Sequence, residues 1–312
     1  MTTIILGPTG NVGSSVAVAL AREYNLTNMI LAMRDTTKSI PGLTPELESS
    51  VLAKRVPVDL SDPSSVTSAV SETNAKRAFL YLVPGSRDSM RGAIEALKAG
   101  GVEFVVYLST GGIGSDLEAV DPSDVIAYMH AQVEKNLAAV FGKKGGYVAL
   151  RPGMFASNTA MWWGSAIPKG EVKLYAGEFS ADWIAPGDIG RVAAAVLAGR
   201  AHVEASVVDL VGPEDMSLRD AVGVIARAVG KQVTIVDVDA EEAIEVFMGL
   251  GRPRAMAAHI VDFLGKGLES GGVKSLLKGV VYDEAVGNVE RYTGKPATRF
   301  AEWAEENKGE FL

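Results

Sequence analysis

The chain has 312 residues, of which 47% are hydrophobic and 22% are charged, a composition that is ordinary for a globular protein. Its 38 acidic and 30 basic residues give a net charge of −8, and no run of lysine or arginine stands out, which argues against a nucleic-acid partner. The absence of cysteine excludes disulfides, thiolate nucleophiles and cysteine-ligated zinc sites.

Short apolar runs alternate with longer helical patterns through the first half of the sequence. The patterns predict strands at 3–6, 29–33, 56–58, 78–83, 103–108 and 147–150, and helices at about 11–24, 63–72, 87–99 and 122–141. Continuous apolar strands that alternate with helices favour a parallel sheet covered on both faces. The sequence therefore predicts an α/β protein with a doubly wound parallel sheet.

The pattern changes after Arg151. The later elements are predicted as a loop with a short helix at 152–180, a strand, turn and helix within 182–199, and strands at 207–212 and 233–238 in otherwise helical sequence. We therefore expect a discontinuous cofactor-binding core and a smaller α/β lobe that binds the substrate. The predicted core consists of residues 1–150 and 181–212, and the predicted lobe consists of residues 151–180 and 213–312.

No membrane or export segment is predicted. No window contains 18 consecutive uncharged apolar residues, and a strand-like run already begins at Ile4. We therefore expect neither a membrane span nor a signal peptide, and a cytoplasmic location.

A glycine-rich loop follows the first strand. Gly7, Gly10 and Gly13 stand at three-residue intervals between that strand and the first helix. In this setting the first glycine permits the turn, the second lets a pyrophosphate approach the backbone, and the third lets helix and strand pack closely. The loop predicts a dinucleotide site, although a tight turn without ligand is the alternative. The predicted contacts are Gly7, Thr9, Gly10, Asn11, Val12 and Gly13.

The ends of the second and third strands indicate which dinucleotide is bound. Arg34 stands where an NAD-specific protein usually offers a carboxylate to the ribose, and a guanidinium there suits a 2′-phosphate. Lys38 lies within reach of the same phosphate. We therefore expect NADP(H), while Asp35 leaves NAD binding open and a solvated loop arginine is the alternative. Asp59, followed by Leu60, is expected to accept a hydrogen bond from the adenine amino group, and a simple helix cap or turn is the alternative.

Two later segments contain further candidate contacts. Val83 and Pro84 end the fourth predicted strand beside the expected cofactor path, although a simple turn fits them as well. Aromatic and methionine side chains after the sixth strand suit a flat apolar substrate, and packing within the lobe explains them equally well. These predicted pocket residues are Met154, Phe155, Trp162 and Trp163.

Several segments, taken in order, resemble one family over essentially the whole chain. They are GPTGNVG at 7–13, LAMR at 31–34 with Lys38, VDLSD at 58–62, YLST at 107–110, LRPGMFASN at 150–158, WIAPGDIGRVAAAVL at 183–197 and YTGKPATRFAEWAEENKGEF at 292–311. Together they resemble the NmrA-like branch of the atypical short-chain dehydrogenases/reductases. The resemblance implies a Rossmann core with a small C-terminal substrate lobe, and NADP(H) in the crevice at the strand ends. There we expect further cofactor contacts from Ser109, Thr110, His130, Pro152, Gly153 and Phe155.

The resemblance also identifies the candidate catalytic residues. Related catalytic reductases carry Tyr-x-x-x-Lys on the helix after the fifth strand, with a Val/Ile-Glu pair shortly after the lysine. Alignment on Val133 and Glu134 puts His130 at the lysine position and Ile126 at the tyrosine position, so both catalytic side chains are replaced. His130 either contacts the nicotinamide ribose or the reacting group, or is a core histidine satisfied by a backbone carbonyl. Ser109, where the family keeps a hydroxyl near the substrate carbonyl, either orients a polar group or caps the following turn.

The missing acid restricts the predicted chemistry. Without the tyrosine or lysine that would protonate an alkoxide, activated acceptors such as quinones, enones or imines are favoured over ketones. We expect an NADP(H)-dependent oxidoreductase that transfers hydride to a small apolar conjugated acceptor. The alternatives are a non-catalytic NADP(H)-binding redox-sensing regulator and a cofactor-bound isomerase or cyclase. A small-molecule substrate is the expected partner. The scattered histidines predict no metal site, and the choice between monomer and homodimer stays open.

Overall fold

The computed structural model describes residues 1–142, 145–275, 277 and 280–312 of the chain. These residues form two compact units, each with a hydrophobic core. The first unit contains Met1–Pro152, Pro186–Leu210 and Gly287–Pro296, and the second contains Gly153–Ala185, Val211–Val286 and Ala297–Leu312.

Strands and helices alternate through the first unit and are mixed in the second. The strands are β1 Thr3–Leu6, β2 Met29–Met33, β3 Lys54–Pro57, β4 Arg77–Tyr81, β5 Phe104–Leu108, β6 Tyr147–Pro152, β7 Glu171–Leu174, β8 Ser180–Ala181, β9 Val207–Leu210, β10 Met216–Ser217 and β11 Thr234–Asp237. The α-helices are α1 Asn11–Arg22, α2 Pro45–Ser50, α3 Pro63–Thr73, α4 Arg91–Gly100, α5 Val125–Phe141, α6 Asn158–Trp163, α7 Pro186–Leu197, α8 Leu218–Ala228, α9 Ala240–Gly249, α10 Arg254–Ser270, α11 Tyr282–Thr293 and α12 Phe300–Glu306. Within the described residues, none of these helices is both long enough and apolar enough to cross a membrane.

A parallel sheet is the centre of the first unit. Among the described residues it contains seven strands in the order β3-β2-β1-β4-β5-β6-β9. Strands β2 and β3 are added on one side of β1, and β4, β5, β6 and β9 are added on the other, so the strand order reverses between β1 and β4. In such a sheet the carboxyl ends of the strands meet at one edge, and a ligand crevice opens where the order reverses. The segments after β1, β2, β4 and β5 therefore share the edge at which a ligand would bind.

The apolar strands explain why this sheet forms. Every residue of β1 and β2 is buried, as expected for central strands that have helices on both faces. One set of helices, α1 and α7, packs together, and a second set, α3, α4 and α5, packs together as well. The predicted α/β fold with a doubly wound parallel sheet is confirmed.

Differences between predicted and observed elements lie where burial gives no periodic signal. Helix α2 was not predicted because it buries none of its residues and is instead started by a cap, in which Thr44 accepts a hydrogen bond from the Leu47 N–H. Helix α5 begins later than predicted because Asp124 caps it by accepting from the Ala127 N–H. Strand β4 ends at Tyr81 rather than at residue 83.

The second unit packs helices and two small sheets around an aromatic core. Strands β8 and β10 pair antiparallel, while β7 and β11 pair in parallel. The predicted strand at 233–238 is present as β11, whereas β7 lies in sequence that was predicted as loop and short helix. The core is rich in aromatic side chains that meet mostly edge to face. They include Trp162, Trp163, Trp183, Phe247, Phe300, Trp303 and Phe311.

Candidate functional site

The three glycines of the loop between β1 and α1 differ in what the protein itself requires of them. Gly7 has a φ of +69°, and a Cβ there would lie 2.5 Å from the ring of Tyr81. A Cβ at Gly13 would overlap the carbonyl oxygen of Gly7. At the exposed Gly10, in contrast, the nearest atom would be 3.6 Å away, an ordinary contact. Packing within the protein explains Gly7 and Gly13, and it leaves the backbone at Gly10 open to a ligand.

Helix α1 has its N-terminus at the same loop. Gly10 is the N-cap, and the first turn contains Asn11, Val12 and Gly13 with no acidic side chain. The first N–H groups of a helix lack intrahelical partners and lie at the positive end of the helix dipole. Thr9 is half-buried, Asn11 is exposed and Val12 is buried. The loop therefore offers backbone amides to a phosphate.

The loop after β2 contains two exposed cations. Within the described residues, neither Arg34 nor Lys38 forms an ion pair or a side-chain hydrogen bond. Between them, Asp35 accepts hydrogen bonds from the Thr37 hydroxyl at 2.6 Å and from the Thr37 N–H at 3.0 Å. These hydrogen bonds lower the pKa of Asp35. Asp35 also interacts with the charge of Lys38, but no ion pair holds either cation, so both can reach an anion.

Asp59 is held in a similar turn after β3. Its Oδ1 accepts from the Ser61 hydroxyl at 2.7 Å and from the Ser61 N–H at 2.9 Å, which lowers the pKa of Asp59. Tyr81, which was not predicted as a site residue, packs its ring on Gly7. The charges of Arg34 and Asp59 both act on its hydroxyl. Burial raises the pKa of Tyr81, so its hydroxyl stays protonated at neutral pH. This end of the site therefore combines an aromatic ring with charges of both signs.

The predicted contacts Leu60, Val83 and Pro84 lie at the ends of β3 and β4. Leu60 and Val83 pack against the core of the first unit, and Pro84 is exposed. Met90 fixes the loop after β4: its sulfur accepts from the Val83 N–H at 3.2 Å, and its own φ is +63°, which is unusual for a residue with a side chain. The contact between the Met90 sulfur and the Val83 N–H thus restrains the backbone of this loop.

Ser109 lies in a buried ionic network. Its hydroxyl donates to Oε1 of Glu134 at 2.6 Å, and the Glu134 carboxylate accepts two hydrogen bonds from Arg151, at 2.9 and 2.6 Å. Arg151 also donates to the carbonyl of Ile113 at 2.7 Å. The hydroxyl hydrogen of Ser109 is therefore directed to Glu134, and no N–H of the following turn donates to its oxygen within the described residues, so the turn-cap alternative is not supported. Its role toward a ligand, like that of the half-buried Thr110, stays a prediction.

His130 meets a phenol rather than a backbone carbonyl. Its Nδ1 lies 2.8 Å from the hydroxyl of Tyr107, a fully buried residue of β5, whereas His130 itself is half-buried. Burial lowers the pKa of His130 to about 4 and raises the pKa of Tyr107. At neutral pH the phenol therefore donates to Nδ1, and the imidazole carries its proton on Nε2. The predicted backbone-carbonyl partner is wrong, while contact with a cofactor or a reacting group stays a prediction.

The partners of Ser109 and His130 were not predicted, for different reasons. Arg151 stands inside the apolar strand YVALRP, and Glu134 stands beside the buried Val133. Because a buried charge needs a partner of opposite charge, these two positions together were the available signal. Tyr107 carries no such signal, since an aromatic residue in an apolar strand is ordinary core.

The predicted contacts that follow β6 belong to the second unit, apart from Pro152, which ends the strand and is buried. A Cβ at Gly153 would lie 2.7 Å from Oδ1 of Asp182, and the Met154 N–H donates to the same oxygen at 3.3 Å. Asp182 is fully buried, and burial raises its pKa to about 6. Gly153 is therefore required by packing against Asp182. Met154 and Phe155 are half-buried, and their contacts with ligands stay predictions.

Trp162 and Trp163 belong to the aromatic core of the second unit. Both are buried, and Trp162 meets Trp183 and Phe247 edge to face. They line a cavity of about 30 Å³ with Leu174 and other residues, which is room for a water molecule and not for a flat ligand. A second depression of about 420 Å³, lined by the same tryptophans, is more open to solvent. Core packing explains both residues, and substrate contact stays a prediction.

A metal centre has no candidate in the described part of the chain. There, no group of three or more histidine or acidic side chains is arranged to hold a metal ion. The site that the geometry supports is therefore the glycine loop together with the cationic loop after β2 and the His130 region after β5.

Comparisons with known proteins agree with this geometry. A family model described as NAD(P)H-binding matches residues 7–200. The nitrogen metabolite regulation-like protein bik4 of Gibberella fujikuroi is 35% identical, over 96% of this chain and 94% of that protein. The NAD(P)H azoreductase of Xenophilus azovorans is 27% identical, over 99% of this chain and 98% of that protein. In fold, the chain resembles the NADPH-dependent quinone oxidoreductase of Escherichia coli solved with NADPH, with a TM-score of 0.73 and 22% identity over 98% of this chain and 99% of that one.

Proposed function

The chain belongs to the NAD(P)H-binding family, as its sequence predicted, and on that premise we propose that it is an NADP(H)-dependent reductase of small, apolar, conjugated acceptors. The nicotinamide dinucleotide follows from the family. The preference for the 2′-phosphorylated form and the class of acceptor are proposals. Quinones, enones and imines are the acceptors that the chemistry of the site favours.

The observation that carries the proposal is the pair of exposed cations beside the glycine loop, which form no ion pair in the described part of the chain. The Gly7 N–H donates to the Ala32 carbonyl of β2 at 3.0 Å, so the phosphate loop adjoins the strand that leads to Arg34. Among the described residues neither Arg34 nor Lys38 forms an ion pair or a side-chain hydrogen bond, although Asp59 lies near Arg34 and Asp35 lies near Lys38. A charge-assisted contact of one of them with a 2′-phosphate is expected to favour NADPH over NADH by at least about tenfold.

The residues near the strand ends support a reaction that needs little acid catalysis. The bound dinucleotide supplies the hydride. Because Tyr107 holds His130 in the tautomer with a proton on Nε2, the imidazole is a neutral hydrogen-bond donor and not a strong acid. Such a donor can stabilise the oxygen or nitrogen of a conjugated acceptor, whose reduced anion is weakly basic, but it cannot readily protonate an alkoxide.

A second function is favoured by one specific finding. The nitrogen metabolite regulation-like protein bik4, at 35% identity, is more similar to this chain than the azoreductase is, at 27%. A regulator that binds the dinucleotide without turnover would need the glycine loop and the cations, but not His130. The second candidate is therefore an NADP(H)-binding redox sensor.

The decisive experiment measures the loss of NADPH absorbance with four acceptors: a naphthoquinone, an azo dye, a cyclic enone and the corresponding saturated ketone. We expect the quinone, the dye or the enone to accelerate the loss above the protein-free rate, and the ketone to leave it unchanged. Turnover of the ketone as fast as that of the best acceptor would contradict the role given to His130.

The same assay separates the two candidate functions when it is combined with binding. If no acceptor accelerates NADPH loss and the protein binds NADPH and NADP⁺ with clearly different affinities, the sensor is the correct function. If the protein binds the two forms equally and turns over an acceptor, the reductase is correct.

A further inference from the structure

Arg55 of β3 contacts the loop that carries both proposed 2′-phosphate ligands. Its Nη1 donates to the carbonyl oxygens of Thr36 and Lys38, each at 2.8 Å. Its Nε and Nη2 donate to the two carboxylate oxygens of Glu48, at 2.7 and 2.8 Å. One guanidinium thus joins strand β3, helix α2 and the loop after β2.

The same loop is fixed from within. Oδ1 of Asp35 accepts two hydrogen bonds from Thr37, and the Lys38 N–H donates to the Asp35 carbonyl at 3.4 Å. The backbone of residues 35–38 is therefore restrained both by its own turn and by Arg55.

The three cations at this end of the sheet have different partners. The side chain of Arg55 is 27% exposed and pairs with Glu48, whose side chain is 16% exposed, so most of its donors are already engaged. Arg34 and Lys38 are exposed and form no ion pair or side-chain hydrogen bond in the part of the chain that the structure describes. Two cations are thus available to a ligand, while the third holds their backbone.

We infer that Arg55 is a positioning residue that sets the selectivity of the protein for a 2′-phosphate, an inference that rests on the proposed function. A loop that is ordered before the ligand arrives loses less conformational entropy on binding. Lysine cannot replace arginine here, because a single ammonium cannot reproduce the fork to Glu48 together with the bonds to two carbonyls. Arg55 acts on the phosphate only through the loop, so its removal changes discrimination and not the affinity for the rest of the nucleotide.

The test measures the affinity of the full chain for adenosine 2′,5′-bisphosphate and for 5′-AMP by titration calorimetry. The two probes differ only in the 2′-phosphate. We expect Arg55→Met to weaken binding of the bisphosphate about tenfold and to leave 5′-AMP within about twofold. Arg55→Lys should behave nearly like Arg55→Met, and Glu48→Gln should show a smaller loss of the same kind.

Lys54→Met is the matched control, because it removes one positive charge from the neighbouring exposed position of β3. Its effect on the bisphosphate should stay within about twofold, which separates positioning from the loss of a distant charge. Equal weakening of both probes by Arg55→Met, or no weakening of either, would overturn the inference. If Arg55→Met does not fold, the ratio of the bisphosphate affinity to the 5′-AMP affinity is measured in Arg55→Lys and Glu48→Gln instead. A fall in this ratio supports the inference, and an unchanged ratio overturns it.

The outcome for the unaltered protein distinguishes this inference from the proposed function. If it binds neither probe and no nicotinamide dinucleotide, the proposed function fails. If it binds the two probes equally, the 2′-phosphate selectivity fails, and the role of Arg55 fails with it. If it discriminates between the probes but turns over no acceptor, Arg55 keeps its role in a sensor.

Discussion

The glycine loop and the Ser109 network lie at strand ends of the same sheet, yet they are stabilised in opposite ways. The loop keeps its shape because side chains are missing: a Cβ at Gly7 or Gly13 would collide with atoms of the protein. The network keeps its shape because charges are present: the buried charges of Glu134 and Arg151 compensate each other, and Ser109 donates a hydrogen bond to Glu134. The loop should therefore be sensitive to added atoms, and the network to removed charge.

The largest expected effect is the loss of one partner in the buried ion pair. Glu134→Gln keeps the shape of the side chain but leaves the charge of Arg151 uncompensated, and we expect the free energy of unfolding to fall by about 3–5 kcal/mol. Urea denaturation measures this change. Lys135→Met is the matched control, because Lys135 lies on the same helix and its ion pair with the exposed Glu118 is far less buried, so its loss should cost about 0–1 kcal/mol. Equal costs for the two variants would mean that burial of the Glu134 pair is unimportant.

How much of the site could be predicted follows from the same contrast. The glycine loop was predictable because the turn at Gly7 and the contact of Gly13 with the Gly7 carbonyl lie within seven residues and leave a fixed spacing in the sequence. The sheet was predictable because buried parallel strands are continuously apolar. The Ser109–Glu134 contact joins residues 25 apart, and the Tyr107–His130 contact joins residues 23 apart. Such contacts depend on which faces of a strand and a helix meet, and no local spacing records that.

The cations near the end of β2 show that, even around one loop, some functional residues can be predicted from the sequence and others cannot. Arg34 and Lys38 were identified because charged residues at that strand end have a known use. Arg55 was not, since an arginine on a partly exposed strand usually indicates a solvated face. Only the structure shows that its guanidinium reaches the carbonyls of Thr36 and Lys38.

A second effect concerns a buried carboxylate that pairs with no cation in the part of the chain that the structure describes. Asp182 of the second unit is fully buried, and its Oδ1 accepts a hydrogen bond of 3.3 Å from the Met154 N–H. Burial raises the pKa of Asp182 to about 6, although hydrogen bonds from Met154 and from the Tyr282 side chain lower it. The nearby Asp215 raises it further. Because the folded state holds this proton more tightly than the unfolded state, the contribution of Asp182 to stability is present below about pH 4 and is lost as the pH rises through 6.

Asp182→Asn removes this dependence. The free energy of unfolding of the variant minus that of the unaltered protein should grow by about 2 kcal/mol between about pH 4 and pH 7. Urea denaturation at a series of pH values measures the difference. A difference that does not vary with pH would mean that Asp182 is ionised in the folded protein as readily as in the unfolded chain.

Substitutions in the glycine loop give the next effect, and they separate folding from binding. Gly13→Ala places a methyl group against the Gly7 carbonyl and should cost about 1–3 kcal/mol of stability as well as dinucleotide affinity. Gly10→Ala meets no protein atom closer than 3.6 Å, so it should leave stability nearly unchanged and weaken NADPH binding. Thermal unfolding and calorimetric titration measure the two properties. If Gly10→Ala binds NADPH normally, the phosphates do not approach the backbone at that residue.

The smallest expected effect tests whether Tyr107 acts through His130. Tyr107→Phe removes the hydroxyl that donates to Nδ1, so the imidazole is free to carry its proton on either nitrogen, and only the Nε2 tautomer is a donor toward the acceptor. We expect turnover of the best acceptor to fall about tenfold, a change of about 1.4 kcal/mol, while the KM for NADPH stays the same.

His130→Ala and the double variant complete a thermodynamic cycle for this pair. If the phenol matters only because it holds the imidazole, the double variant should turn over as fast as His130→Ala alone, since residues that act as a unit are not additive. Independent, additive losses would give Tyr107 a role of its own. Unchanged turnover in all three variants would assign both side chains to packing. The reductase chemistry would then depend on the positioning of the dinucleotide and the acceptor alone, which the glycine loop and the cations after β2 would have to provide.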